Sequence, residues 1–300
     1  MQAWVYLSIA AAAFQTIRFM LQKQLSMGAL STGGATFARF FYSAPFVVSL
    51  TLIYVFWQGQ NMPGFSARFW AYALTGGLAQ ILATWCVVAL FARRNFAVGI
   101  TFKKTEVIQT ALVGLVVLGD RVTMPGMVAI IVGLIGVLIL SDMPGGAGHW
   151  MRRMINPAAG LGLISGAFFA VSAVAYRGAT LEISSADPLL RAGVALAVVT
   201  TSQAFGMAVW LAWRERGQIA CVWQARRTAV WMGITGMAGS LCWFTAFTLQ
   251  NAAYVFAVGQ IEVIFSMMAS VLFFKERISG REFVGIGMLS ASIVLLVLLV

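Results

Sequence analysis

The sequence consists largely of apolar runs of about 20 residues, the length that an α-helix needs to cross the hydrocarbon core of a bilayer. Hydrophobic residues make up 61% of the 300 residues and charged residues only 10%. This leaves too little polar surface to cover a soluble globule of this size. A transmembrane β-barrel would instead show short segments of alternating polarity. The pattern predicts an all-α membrane protein that crosses the bilayer many times.

Interruptions by charge, proline and glycine divide the sequence into ten candidate transmembrane helices. Asn156 and Asp187 each precede a proline, which is typical of a capped helix start, and Thr123 and Ser279 are further predicted caps. The predicted spans are residues 3–21, 34–57, 69–92, 96–118, 124–141, 157–176, 188–213, 228–248, 252–273 and 280–300.

The second half of the sequence repeats features of the first half at a constant distance of 156 residues. Glu-Val-Ile at 106–108 aligns with Glu-Val-Ile at 262–264, and Arg121 aligns with Arg277 in the same register. Several matches in one register indicate an internal duplication. The predicted units are a first five-helix repeat at residues 1–141, a cytoplasmic linker at 142–156 and a second five-helix repeat at 157–300.

Lysine and arginine residues are distributed unequally between alternate predicted loops. The side that holds the loop between the first two spans carries twelve of them and the other side three. By the positive-inside rule the first side faces the cytoplasm, so both termini are expected outside it. Because each repeat has an odd number of predicted spans, five, the second repeat is expected to enter the membrane inverted relative to the first. Inverted repeats are typical of secondary transporters with a site near the bilayer midplane.

Ionisable side chains lie inside two of the predicted spans, where charge is costly and usually functional. The fourth span contains Lys103, Lys104 and Glu106, and the ninth contains Gln260 and Glu262. The two glutamates lie about 11 residues from opposite membrane surfaces, or roughly 15 Å deep at about 1.5 Å per residue. We therefore expect the inverted pair to converge on the membrane centre.

Two interpretations of these residues remain open. In the first, Lys103 and Glu106 neutralise each other and the small residues beside them serve helix packing. In the second, both helices line a water-accessible cavity where a lysine meets an anionic group of a substrate and a glutamate a cationic one. Glu262 is the main candidate for proton coupling, because its own helix offers Gln260 and no lysine, and Glu106 is the other candidate.

Tryptophan and arginine residues add further candidates in other spans. Trp85 and Trp243, in the third and eighth spans, are candidates for an apolar wall around an organic substrate. Arg39 and Arg191, near the starts of the second and seventh spans, are expected to serve as structural charges that snorkel or pair with a neighbour, as is Arg18 in the first span. For Arg191 the expected partner is Asp187, four residues earlier.

Several function classes find no support in the residues. The aspartates, Asp120, Asp142 and Asp187, lie at span ends, and the single histidine, His149, lies in the linker. Intramembrane hydrolysis would need paired acids, a nucleophile with a base, or a metal cluster. The basic residues are scattered at span ends, so the net charge of +11 does not indicate nucleic-acid binding. We expect no enzyme, metal or cofactor; a membrane scaffold without transport remains an alternative.

Three local features go together with the ten spans: Arg39 followed by Phe-Phe, and the motifs at 119–123 (GDRVT) and 275–279 (KERIS) that close the fourth and ninth spans. In these features the sequence resembles the EamA family of the drug/metabolite transporter superfamily. The resemblance implies a bacterial inner-membrane carrier or exporter of small metabolites, with amino-acid exporters of the YddG type as one branch. It also implies a central cavity to which the third, fourth, eighth and ninth spans contribute.

We therefore expect a secondary transporter that exports amino acids or related small metabolites by alternating access, with lipid and protons as its other partners. Two other transported classes remain open. A quaternary-ammonium or multidrug exporter would need Glu106 or Glu262 exposed and the lysines turned away. A sugar-phosphate or nucleotide-sugar carrier would need both Lys103 and Lys104 in the cavity.

Overall fold

The computed structural model describes residues 2–28, 30–60, 62–91, 102–140, 157–265, 268 and 280–299. Within these ranges the chain is helical and contains no strand. The predicted linker at 142–156 and parts of the fourth and ninth predicted spans lie outside the described residues. The helices are α1 Ala3–Ser26, α2 Thr32–Trp57, α3 Ala67–Phe91, α4 Glu106–Leu118, α5 Met124–Leu140, α6 Pro157–Leu181, α7 Pro188–Arg214, α8 Gln218–Gln224, α9 Arg226–Leu249, α10 Ala252–Gly259 and α11 Gly280–Leu299.

Six of the described helices, α1, α2, α3, α6, α7 and α9, are long and apolar enough to cross a membrane. Shorter apolar helices, among them α4 and α5, accompany them. Together they establish a multi-pass membrane protein, as the composition predicts. The short helix α8 was not predicted, because its seven residues are too few to give a periodic signal.

Side-chain caps define several helix starts. The Gly126 N–H donates to Thr123 Oγ1 at 3.2 Å, and the Leu189 N–H donates to Asp187 Oδ1 at 2.8 Å, so both predicted caps are confirmed. Ser31 caps α2 in the same way and had not been predicted. The predicted caps Asn156 and Ser279 lie outside the described residues.

The helix pairs that pack together correspond under the 156-residue shift. Helix α1 packs on α9, and their counterparts α6 and α3 also pack together. Helices α2 and α7, which are counterparts of each other, form another pair, and so do α5 and α11. Each half therefore contacts the other half through equivalent surfaces.

The contact between α5 and α11 depends on residues with little or no side chain. Ser292 lies against Gly133, and its hydroxyl donates to the Ala129 carbonyl at 2.6 Å. Leu289 lies against Gly136. Under the 156-residue shift Gly133 corresponds to Leu289 and Gly136 to Ser292, so the two contacts are equivalent. Small residues let helix backbones approach closely, and in a membrane this packing supplies much of the association energy.

Replacing Gly136 by alanine should destabilise the protein. The added Cβ would lie 2.9 Å from both the Gly285 carbonyl oxygen and the Leu289 amide nitrogen, backbone atoms that cannot move aside easily. We expect a loss of about 1–3 kcal/mol, seen as a lower Tm of the detergent-purified protein. Gly287→Ala is the control, since nothing lies within 4 Å of its added carbon. Equal melting temperatures for the two variants would contradict this account of the contact.

Candidate functional site

The chain makes a tight turn at two positions that are 156 residues apart. The Thr105 N–H donates to the Phe102 carbonyl at 3.2 Å, and the Ile261 N–H donates to the Val258 carbonyl at 3.1 Å. This three-residue spacing is tighter than that of an α-helix and often marks a functional break. Helical structure resumes directly after each turn, and a glutamate is its first residue in both cases.

Both of these glutamates are paired with lysines from the segment that precedes α4. Lys103 Nζ lies 2.9 Å from Glu106 Oε1, and Lys104 Nζ contacts Glu262 Oε1. The first pair is the local neutralisation that the sequence allowed. The second joins the two halves of the chain and gives Glu262 a lysine partner, although its own helix offers none. Helical spacing could not predict this pair, because Lys104 lies in the fourth predicted span and Glu262 in the ninth.

Helix α1 adds a polar side chain to the same place. Gln15 Nε2 donates to Glu262 Oε2 at 2.6 Å, and Gln15 Oε1 accepts from Trp243 Nε1 at 3.3 Å. The cavity between these groups has a volume of about 20 Å³, enough for about one water molecule and too small for an amino acid. It is lined by Gln15, Lys103, Glu106, Phe169, Trp243, Phe256, Gly259, Gln260 and Glu262.

Two of the lining residues carry buried acceptor atoms without a hydrogen bond. Glu106 Oε2 and Gln260 Oε1 have no partner among the described residues, and the two residues are only 4% and 5% exposed. An unmet buried acceptor costs about 1–3 kcal/mol. The cavity is therefore suited to a molecule that brings hydrogen-bond donors, such as a water or an ammonium group.

Aromatic rings form the apolar side of the cavity. Trp243 lies against Phe247 at a centroid distance of 5.8 Å and meets Phe256 edge-on at 5.4 Å. A Cβ at Gly259 would overlap the Trp243 ring, so only glycine fits there. The predicted site residue Trp243 therefore lines the cavity. Trp85 instead packs on Trp210 at 4.8 Å, outside the cavity lining.

Two of the three arginines predicted as structural charges, Arg39 and Arg191, make contacts that the sequence did not specify. Arg191 Nε donates to the Thr180 carbonyl at 2.7 Å, and Asp187, its expected partner, accepts from the Tyr54 hydroxyl at 2.6 Å. Arg39 is 5% exposed, so it does not snorkel to the headgroups. Asp187 and Tyr54 are 133 residues apart, so helical spacing could not predict their contact.

An ion pair outside the cavity lining joins the ends of three helices. Arg177 Nε donates to Asp120 Oδ2 at 2.7 Å, and Arg177 Nη1 donates to the carbonyls of Phe247 and Gln250. The guanidinium thus satisfies carbonyls at the end of α9, where a cation is favoured. The sequence placed Asp120 at the end of a span, but its pairing with Arg177 was not predicted.

Paired charges, unmet acceptors and a small cavity inside a bundle of membrane-crossing helices define a polytopic membrane protein with a polar site within the bilayer. Residues 156–298 match the model of the EamA-like transporter family. The match covers slightly less than half of the chain, and the members of the family it resembles are transporters and not enzymes.

A solved structure supports the same fold. It is described only as "Crystal structure of protein" and aligns with a TM-score of 0.68 and 15% sequence identity over 97% of this chain and 99% of that chain. At this identity the likeness concerns the fold alone. No curated protein matches the sequence.

Removing one partner of the Lys104–Glu262 pair should cost more than removing both. Lys104→Met leaves a buried carboxylate without its cation, for which about 3–5 kcal/mol is typical. We expect a large fall in Tm for Lys104→Met and a smaller one for the double variant Lys104→Met/Glu262→Gln, measured in detergent. Glu182→Gln, at an exposed contact with Ser66, serves as the control. Additive effects of the two single changes would show that the pair is not coupled.

Proposed function

We propose that the protein is a secondary transporter that exports amino acids or similar small zwitterions by alternating access. The observation that carries this proposal is the cavity at two matching helix breaks, where lysines and glutamates meet beside unmet acceptors. Breaks of this kind give a substrate access to polar backbone and side-chain groups in the middle of the bilayer. A zwitterion presents charges of both signs, as this cavity does.

The proposal includes ten spans arranged as two inverted five-helix repeats. Its support is the exchange of equivalent contacts, such as Gly133 with Ser292 and Leu289 with Gly136, which a two-fold relation between the halves would produce. The excess of lysine and arginine on one side favours termini outside the cytoplasm. A bacterial inner membrane is the location that the family resemblance favours.

The small cavity corresponds to a closed state in such a cycle. Lys104 lies outside the cavity lining, but it connects the two halves through Glu262, which lines the cavity. A substrate that binds Glu262 must therefore separate this pair or replace one of its contacts. The ammonium group of an amino acid can replace Lys104 beside Glu262, and it can also donate to Glu106 Oε2. Replacement of one cation by another keeps the buried carboxylate compensated throughout.

The geometry favours a zwitterion over the two other substrate classes. A quaternary-ammonium exporter needs a glutamate without a competing lysine, but Glu106 and Glu262 each contact one. A sugar-phosphate or nucleotide-sugar carrier needs Lys103 and Lys104 directed at an anion, but each of them is held by a carboxylate.

Competition in proteoliposomes tests the substrate class. Uptake of a labelled amino acid by vesicles containing the protein should fall in the presence of unlabelled amino acids. It should not respond to tetraphenylphosphonium or to glucose 6-phosphate at the same concentration. Protein-free vesicles are the control. Inhibition by the lipophilic cation or the sugar phosphate, without inhibition by amino acids, would assign one of the other classes.

Proton exchange at Glu262 is the proposed coupling step, because this carboxylate can be neutralised by a proton when Lys104 moves away. A pH gradient should change the rate of amino-acid uptake in the wild type and have little effect on Glu262→Gln. Glu182→Gln, which removes a carboxylate at the exposed end of α6, should behave like the wild type. A rate that does not depend on pH in either the wild type or Glu262→Gln would count against coupling.

A further inference from the structure

Two arginines lie together inside the membrane region, apart from the lysine and glutamate pairs. Arg18 is eight residues from the end of α1 and Arg39 is seven residues from the start of α2, which places both roughly 10–12 Å in from the loop that joins these helices. They are only 2% and 5% exposed. Neither position allows the guanidinium to lie at the membrane surface.

The two side chains lie next to each other against α9. A carbon at the Cβ position of Gly236 would lie 3.3 Å from Arg18 Cδ and 3.6 Å from Arg39 Cγ, so both stems use the space that this glycine leaves. Like charges close to each other are destabilising, particularly where water is excluded, and Arg18 and Arg39 repel each other. Two adjacent guanidinium groups are therefore an unfavourable arrangement unless an anion joins them.

The contacts of the two guanidinium groups are to neutral side chains. Arg18 Nη1 donates to Gln22 Oε1 at 2.9 Å. Arg39 Nη1 donates to Thr84 Oγ1 at 3.1 Å, and Nη2 lies 3.4 Å from Ser240 Oγ. These contacts orient the two groups but do not compensate their charge.

No described carboxylate lies within ion-pair distance of either arginine. The described carboxylates instead have other partners: Glu106 with Lys103, Glu262 with Lys104, Asp120 with Arg177, Asp187 with Tyr54, Glu182 with Ser66 and Glu215 with Ser31. Glu262 also attracts Arg18 electrostatically, but it contacts Lys104 directly and neither arginine forms an ion pair with a described carboxylate. Four cations, Lys103, Lys104, Arg18 and Arg39, thus lie near two glutamates, so this part of the membrane keeps a net positive charge.

We propose that Arg18 and Arg39 bind the carboxylate of the transported zwitterion. A guanidinium matches a carboxylate with two parallel hydrogen bonds, and two of them can hold both of its oxygens. Gln15, which lines the cavity, is one turn before Arg18 on the same face of α1. The substrate therefore meets glutamates and the unmet acceptors at one end and arginines at the other.

This assignment rests on the proposed transport of zwitterions, but the anion site can be tested without transport. The thermal stability of the detergent-purified protein is measured in sodium acetate, sodium phosphate and sodium chloride at equal ionic strength. Acetate should raise the Tm of the wild type above its value in chloride. Arg18→Gln and Arg39→Gln should each remove this increment. Arg191→Gln, which removes a charge from α7, should retain it.

A second measurement uses transport and separates the two proposals. Uptake of labelled leucine should be inhibited by leucine at least about 10-fold more effectively than by leucinamide, which lacks the carboxylate, since a charge-assisted contact is lost. Arg39→Gln should abolish this preference, and Arg39→Lys, which retains the charge, should preserve part of it. If Arg39→Gln does not fold, Arg18→Gln gives the same comparison.

The outcomes are distinguishable. Equal stabilisation of the wild type by acetate and chloride, or an acetate increment that survives in both glutamine variants, would overturn the site. Stabilisation by phosphate alone would overturn the assignment to a carboxylate. An acetate increment that depends on the arginines, in a protein that transports no amino acid, would support the anion site and refute the proposed function.

Discussion

The cost of placing charge in lipid determines how this bundle is organised around its centre. An isolated ion in a medium of low dielectric constant loses hydration energy that only a close partner of opposite sign restores. Lys103 and Lys104 therefore require Glu106 and Glu262, and these four residues can be satisfied together only where the two halves of the chain meet. The turns before the glutamates bring the four side chains to one point.

The sequence predicted the class of fold and named several of the residues that line the candidate cavity, because both depend on signals that are local. Apolar length reveals a span, and the repeat of Glu-Val-Ile identifies two equivalent helices. Caps such as Thr123 and Asp187 depend on a few neighbouring residues, so they too could be predicted. The interruptions of the helices at Thr105 and Ile261 could not be predicted. Neither residue is directly preceded or followed by a proline or glycine, the usual signals of a helix break.

What the sequence did not predict are contacts between distant segments. Lys104 meets Glu262 and Arg177 meets Asp120 only after the helices have packed, and helical spacing contains no information about such pairs. For the same reason the sequence could not distinguish Trp85 from Trp243, which were both predicted as candidates for the cavity wall. Their roles differ because α9 carries Trp243 to the cavity, whereas Trp85 meets Trp210 on α7.

The contact between Trp243 and Gly259 has a consequence for the size of molecule that the cavity can admit. The indole fills the volume that a side chain at position 259 would otherwise occupy, and it is held there by packing on Phe247 and Phe256 and by a long hydrogen bond to Gln15. Rotation of this ring away from Gly259 would enlarge the cavity beside the helix break. The space beside Gly259 thus depends on the orientation of one indole.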